Sequence, residues 1–371
     1  VESDPIHAAV HGFNFPRCEI FPKDVCGLHG PELSRGEPVD VLFGGPPCQG
    51  FSLIGKRDMN DPRNNLVFQF MRMVREIRPR YFVMENVSGL TVGCAKGILE
   101  RLMAGINDFG YGAVLPPRVL DAKDYGVPQS RKRLFLLGYR KDQRPPEYPA
   151  VSTHAVSARD AIYDLPNIDD FDELLTSDCL NYGLNPTSKY AKTLHGQILD
   201  RDDFSHPRNW DPRVLTGCLR TRHTEVSVKR FSETRPGTTE PVSRFFKLDP
   251  DGPCNTLRAG TDKSRGAYTG PRPIHPRDNR CVSVREAQRL HSFPDWFRVH
   301  YTKWHGFREV GNSVPPLLAR RIAAMIVKAL DSRVTKPNGL IDLGDPATIY
   351  FNETQASSYL SRKRQNKPQN P

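Results

Sequence analysis

No apolar run in the 371-residue sequence approaches the ~18 residues a bilayer-spanning helix needs, so no membrane is expected among its partners. The first residues, Val1 to Ala9, include Glu2 and Asp4 and lack the apolar stretch of a secretory signal. The eight cysteines are scattered and form no Cys-x-x-Cys pair. Neither a disulfide framework nor a structural metal site is therefore expected, and a reducing cytoplasm is the expected setting. There is no internal repeat. Between about 141 and 280 helical periodicity is also scarce, while Pro and Gly are frequent.

What remains is an ordinary globular composition, 37% hydrophobic and 26% charged, with a formal charge of +11. A basic balance permits a nucleic-acid partner without establishing one. Val39 to Phe43 is a short apolar run closed by Gly44-Gly45-Pro46-Pro47, which reads as a buried strand and a turn. From Asn65 to Ile77 apolar residues recur at helical spacing, and Pro79 ends the pattern. Tyr81–Met84 is the next strand, and Ile98 to Phe109 a second amphipathic helix. Leu115–Asp121 and Arg133–Tyr139 read as two strands joined by a Gly/Pro loop. Alternation of this kind predicts an α/β sheet with helices on both faces.

Charge is uneven in the middle. Residues 160–178 hold seven acidic side chains and no Lys or Arg, whereas 201–275 hold 14 Lys and Arg against 9 Asp and Glu. Taken alone, either bias reads as a solvated face. Regular structure is expected again near 281. Ser283 and Glu286 have capping-box spacing, and Val314–Leu330 reads as a helix with proline in its first turn. The polar residues after about 332 are expected to form a frayed tail.

Three places point to chemistry. Cys48 follows a strand, a Gly-Gly turn and two prolines, a stiff setting for a nucleophilic thiol at the carboxyl edge of a sheet. Glu85 closes the next strand and would open on the same edge if the two strands are parallel; partly buried there, it would be a proton donor. Arg131 and Arg133 begin a strand that a hairpin return makes antiparallel, which brings their end to that edge as well. Each has a plainer alternative: a buried thiol, a helix cap, a solvated arginine pair.

Together these pieces resemble the cytosine-C5 DNA methyltransferases. Gly44 to Ser52 looks like that family's nucleophile motif, Glu85-Asn86-Val87 like its acid motif, and Gln129-x-Arg131-x-Arg133 like its base-clamping motif. Asp61-x-Arg63-x-x-Leu66, Arg285 to Pro294 and Gly311-Asn312-Ser313-Val314 resemble further motifs, in the family's linear order. The resemblance implies a Rossmann-like S-adenosylmethionine-dependent methyltransferase sheet with a smaller, irregular target-recognition domain. The chain would divide into a catalytic domain at 1–140, recognition at 141–280, a return to the catalytic domain at 281–330 and a polar tail at 331–371. Catalytic roles fall to Cys48, Glu85, Arg131 and Arg133. Cofactor contacts fall to Glu2, Asp24, Pro46, Leu66, Asn312 and Ser313, and DNA contacts to Gln49, Thr256 and Leu257. No metal is implied.

The implied partner is double-stranded DNA, with a cognate restriction endonuclease encoded nearby as a common bacterial setting. A cytoplasmic, nucleoid-associated monomer is expected. One departure stands out: the family's Phe-x-Gly-x-Gly turn occurs nowhere in the sequence. The first strand and this turn are therefore expected to be missing, whether by fragmentation or natural truncation. Transfer-RNA methylation by the same chemistry, and a catalytically dead DNA-binding remnant, are the alternative readings.

Overall fold

The computed structural model describes residues 1–47, 65–91, 96–152, 154–200, 203–260 and 272–365. In chain order its helices are α1 Pro5–Asn14, α2 Gly30–Ser34, α3 Asn65–Ile77, α4 Lys96–Asp108, α5 Ala158–Ile162, α6 Lys189–Leu194, α7 Glu225–Glu233, α8 Val284–Leu290, α9 Lys303–Asn312, α10 Pro316–Leu330 and α11 Glu353–Gln365. Its strands are β1 Val41–Gly44, β2 Tyr81–Val87, β3 Tyr111–Ala113, β4 Arg118–Asp121, β5 Lys132–Arg140, β6 Leu180–Asn181, β7 Arg208–Asn209, β8 Val214–Leu215 and β9 Ile341–Asp342.

The main sheet runs β1-β2-β5-β3, with β4 also paired to β5. β1 and β2 are parallel, whereas β5 is antiparallel to β2 and places Arg133 opposite Val87. The expected hairpin return is therefore present, although the expected strand over 115–121 is confined to β4 at 118–121 and an unforeseen short strand, β3, precedes it, each antiparallel to β5.

β5 shows why both faces are covered. Leu134 and Leu136 point to one side, where they meet Phe70, Val74, Leu102 and Ile106 of α3 and α4. Phe135 and Leu137 point to the other, where Leu318 and Ile322 of α10 pack on them. This is the period of two that a strand imposes, met by helix stripes of period 3.6. Cluster burial of this kind favours folding by roughly 1.5–3 kcal/mol for each large apolar side chain.

The middle segment has its own core, and that core is completed from beyond residue 280. Ile162, Leu174, Tyr190, Leu194, Leu215 and Leu257 share one cluster with Val284, Leu290, Phe307 and Val310 of α8 and α9. A boundary at 280 thus crosses continuous packing. The α8 capping box is present: the Ser283 hydroxyl accepts from the Glu286 amide, and the Glu286 carboxylate accepts from the Ser283 amide.

The C-terminal expectation needs correction. Residues after 332 do not fray as a whole. β9 pairs in parallel with β7, and Ala356 and Leu360 of α11 pack on Ile6, Ala8 and Ala9 of α1. No helix among the described residues is long and apolar enough to cross a membrane.

Candidate active site

The turn after β1 is shaped by what lies beneath it. A Cβ at Gly45 would sit 2.8 Å from Glu85 Oε2, so a larger residue there would displace that carboxylate from its place under the turn. One residue on, the Pro46 carbonyl accepts a 3.0 Å hydrogen bond from Asn86 Nδ2. Asn86 is itself 4% exposed, and its Oδ1 accepts from the Val87 amide. The acid strand therefore grips the turn that leads into Cys48. Cys48 and Gln49 lie outside the described residues, as do Asp61 and Arg63.

Glu85 lies within β2 rather than beyond its end, because the strand continues to Val87. Its Oε1 pairs with Arg133 Nε at 2.9 Å, both side chains being 15% exposed. Burial pushes the Glu85 carboxyl above its ordinary value, and the Arg131 and Arg133 guanidiniums only partly offset this. The result is a carboxyl group that holds a proton more readily than a surface glutamate, beside a fixed cation.

Arg131 has a different task from the base contact expected of it. It is 1% exposed, and its guanidinium donates to the carbonyls of Leu257, Gly311 and Ser313 at 2.9, 2.7 and 3.0 Å. It is a tie between segments 180 residues apart in sequence. Gln129 works in the same way. Its Oε1 accepts from the Leu257 amide, and its Nε2 is 2.9 Å from His291 Nδ1. So in Gln129-x-Arg131-x-Arg133 the first two side chains bind backbone and ring neighbours, and the third faces the acid.

Of the residues expected at DNA, Leu257 is a correction: it is 3% exposed and belongs to the core of the middle segment. An apolar side chain preceding an exposed arginine, Arg258, is buried because its own amide and carbonyl are held from below. Thr256 lies beside it, with its hydroxyl donating to the Ser130 carbonyl at 2.7 Å.

The residues expected at a cofactor sit on several elements. Glu2 is exposed and precedes α1; its Oε1 accepts from the Asp4 amide. Asp24 is exposed and caps a short 3-10 turn, and that Cys26 amide bond lowers its carboxyl below the usual value. Leu66 is in the first turn of α3, a helix whose Arg72 donates to the Val25 and Leu28 carbonyls next to Asp24. Asn312 ends α9 and is exposed, and Ser313 caps it. Gly311 permits this approach: a Cβ there would fall 2.3 Å from the Ala259 amide nitrogen.

Sequence reasoning did not foresee the part of Asn86, although its place after Glu85 was plain. Nor did it foresee Gln129 and His291, whose contact spans 162 residues and leaves no local signal.

The sequence profile of the C-5 cytosine-specific DNA methylases matches residues 2–328. The Type II methyltransferase M.XorII of Xanthomonas oryzae pv. oryzae is 50% identical over 363 residues, covering 96% of this chain and 85% of its own. M.DdeI of Desulfomicrobium norvegicum is 30% identical, over 88% of this chain and 82% of its own. Among solved structures, one described as a DNA modification methyltransferase encoded within an E. coli prophage superposes with a TM-score of 0.74 at 32% identity, covering 89% of this chain and 92% of that one. S. pombe Dnmt2 methyltransferase, at 15% identity, has a TM-score of 0.51 over 89% of this chain and 90% of its own, a likeness of fold alone.

Proposed function

The chain belongs to the C-5 cytosine-specific DNA methylase family, and from that premise we propose that it methylates C5 of a cytosine within one specific sequence of double-stranded DNA through a covalent bond from Cys48. The observation that carries this reading is the buried Glu85–Arg133 pair beneath the Gly45-Pro46 turn, held to that turn by Asn86.

Cytosine C5 is a poor nucleophile until C6 is attacked. The Cys48 thiolate bonds to C6 and pushes electron density toward N3 and C5. Glu85, with its raised carboxyl, donates a proton to N3 as that charge develops. Arg133 holds Glu85 in place and offers the remaining N–H groups to the O2 oxygen. S-adenosylmethionine supplies the electrophilic methyl group that C5 receives. A base then takes the C5 proton, the C6–sulfur bond to Cys48 breaks and the N3 proton returns to Glu85, which restores aromaticity. The target base must leave the stack, since a duplex hides C6 from any thiol.

The donor set suits that cofactor. Glu2 and Asp24 present exposed carboxylates, which match ribose hydroxyls and an adenine amine, and Asn312 presents an exposed amide. Pro46 and Leu66 add apolar contact. Arg222, Lys229, Arg235, Arg244 and Arg258 are exposed in the middle segment and suit phosphate. Gln49 and Thr256 are the further DNA contacts, and a restriction endonuclease of the same specificity is the functional partner.

The test is bisulfite sequencing of a random duplex library treated with the protein and S-adenosylmethionine, with transfer RNA treated in parallel. Methylcytosine at one duplex sequence is expected. Methylation of transfer RNA alone would replace the DNA substrate.

A further inference from the structure

Where the start of α1 meets α9, two histidines and two carboxylates face one another. Asp4 and His7 are separated by one turn, and His305 and Glu309 by another. Their polar atoms are poorly served by hydrogen bonds. His7 Nδ1 lies 3.5 Å from Asp4 Oδ2, and His7 Nε2 lies 3.9 Å from Glu309 Oε1, both too long. Three buried atoms, His7 Nε2, His305 Nδ1 and Glu309 Oε1, have no hydrogen-bond partner. Orphans of this kind usually cost ~1–3 kcal/mol each, so a group of three asks for an explanation.

A neighbouring ring shows the contrast. His300 meets His305 edge-on, with ring centroids 4.8 Å apart, yet both its nitrogens are served, Nδ1 by the Thr302 hydroxyl and Nε2 by the Phe351 carbonyl. The local backbone therefore has acceptors to give, and His7 and His305 receive none.

We propose that Asp4, His7 and His305 form a zinc site that fastens α1 to α9. One ligand atom from each of the three lies within 4.8 Å of the others. Around zinc such atoms stand about 3.4 Å apart, from bond lengths near 2.1 Å, so small side-chain rotations close the site. Two imidazoles and one carboxylate select a borderline metal such as zinc over magnesium or calcium, which take oxygen ligands. Asp4 is ready for the part: its Oδ1 caps α1 by accepting from the Ile6 and His7 amides, and Oδ2 remains for the ion. Asp4 and Glu309 lie on opposite nitrogens of His7. An ion shared with Asp4 takes Nδ1 and leaves Nε2 on the side of Glu309, 3.9 Å from its Oε1.

The consequence rests on the methyltransferase reading above. Glu2 precedes one fastened helix and Asn312 ends the other, so the ion would fix the spacing of two cofactor contacts.

Tag-free protein is stripped with a chelator, desalted and titrated with zinc chloride against a chromophoric chelator. One zinc per chain is expected, with a Kd of about 1 µM or tighter, together with a rise in melting temperature. Asp4→Asn keeps the cap, because asparagine caps as well as aspartate, yet removes the anionic ligand. It and His305→Gln should each weaken zinc by about tenfold or more, while His29→Gln, at an exposed ring elsewhere, binds as the parent does. This measurement needs no DNA and no methyl transfer, so its failure is separate from failure of the catalytic reading. No zinc uptake by the parent, or undiminished uptake by either Asp4→Asn or His305→Gln, overturns the site.

Discussion

Beneath β2 and β5 the core is Phe82, Met84, Leu134 and Leu136 against α3 and α4, and among the described residues no charged side chain of those four elements is fully buried. Around α8 the interior is built otherwise: Arg280, Arg285 and Arg289 are each at most 2% exposed. Arg280 pairs with Glu286 and Asp278 at 2.8 and 2.9 Å. Arg289 pairs with Asp295 and Asp164, and Asp295 in turn is 2.8 Å from His195 Nδ1. Arg285 donates to the Thr216 carbonyl and hydroxyl. The sheet half gains its stability from area that any apolar residue can bury. The half around α8 gains its path from pairs that accept only one partner, since a buried ion left alone costs more than the pair contributes. The segment around α8 has few strands and little regular backbone pairing, and the buried ion pairs fix its course instead.

The difference can be broken from either side. The largest expected effect is on chemistry at the sheet edge. Glu85→Gln keeps shape but loses the acid, so turnover should fall by about 10²–10⁴-fold with DNA affinity retained in a gel-shift titration. A fall in affinity with unchanged turnover per complex would make Glu85 structural. Next is Arg289→Met, which strands Asp295 and Asp164 and should cost about 3–5 kcal/mol in urea denaturation. A cost below about 1 kcal/mol would place this network with ordinary surface pairs. Asn86→Ala follows, at about 1–3 kcal/mol for the unpaired Pro46 carbonyl and Val87 amide. It should also slow turnover, which separates it from a purely structural loss.

The smallest effect is the pH response, and there the halves differ in sign. Burial lowers His275 to about 4, and Arg280 holds Glu286 at about 2. The unfolded chain takes up these protons first, so the half around α8 loses stability as pH falls from about 6.5 to 4, and again from about 4.5 to 2. Glu85 is shifted upward, so its contribution declines as pH rises through its unfolded value and is favourable in acid. The three tryptophans, Trp210, Trp296 and Trp304, all lie outside the main sheet and its α3 and α4 helices, in the half around α8. Their fluorescence should therefore report acid unfolding before far-ultraviolet circular dichroism reports loss of the sheet. Coincident transitions would mean that the two cores melt as one.

The same contrast governs what was legible in the sequence. α3 occupies the residues its periodicity predicts, and the α8 cap was visible because both partners lie within three residues. The antiparallel return of β5 followed from the strand order. The acidic run at 160–178 is a solvated face only in part: Asp170, Asp172 and Glu173 are exposed, Asp172 even while it pairs with Arg220, whereas the Asp164 and Asp178 side chains are buried against Arg289 and Arg298. Such pairs have no period, because the partners lie 48 to 125 residues apart. α11 was missed for a similar reason. Among its buried positions only Ala356 and Leu360 are apolar, and the face they cover belongs to α1 at the other end of the chain. At the site, residue types were legible and their tasks were not. Arg131 and Arg133 look equivalent in sequence, yet one binds three carbonyls and the other binds the acid.

The account stands on Cys48 being delivered by the turn that Glu85 and Asn86 hold. Duplex DNA in which every cytosine is 5-fluorocytosine contains every target, and fluorine cannot leave C5 as a proton does. Incubation with the protein and S-adenosylmethionine, followed by digestion and mass spectrometry, should find the nucleotide on Cys48, with none on the other seven cysteines. An adduct on another cysteine, or none at all under conditions where ordinary DNA is methylated, would contradict it.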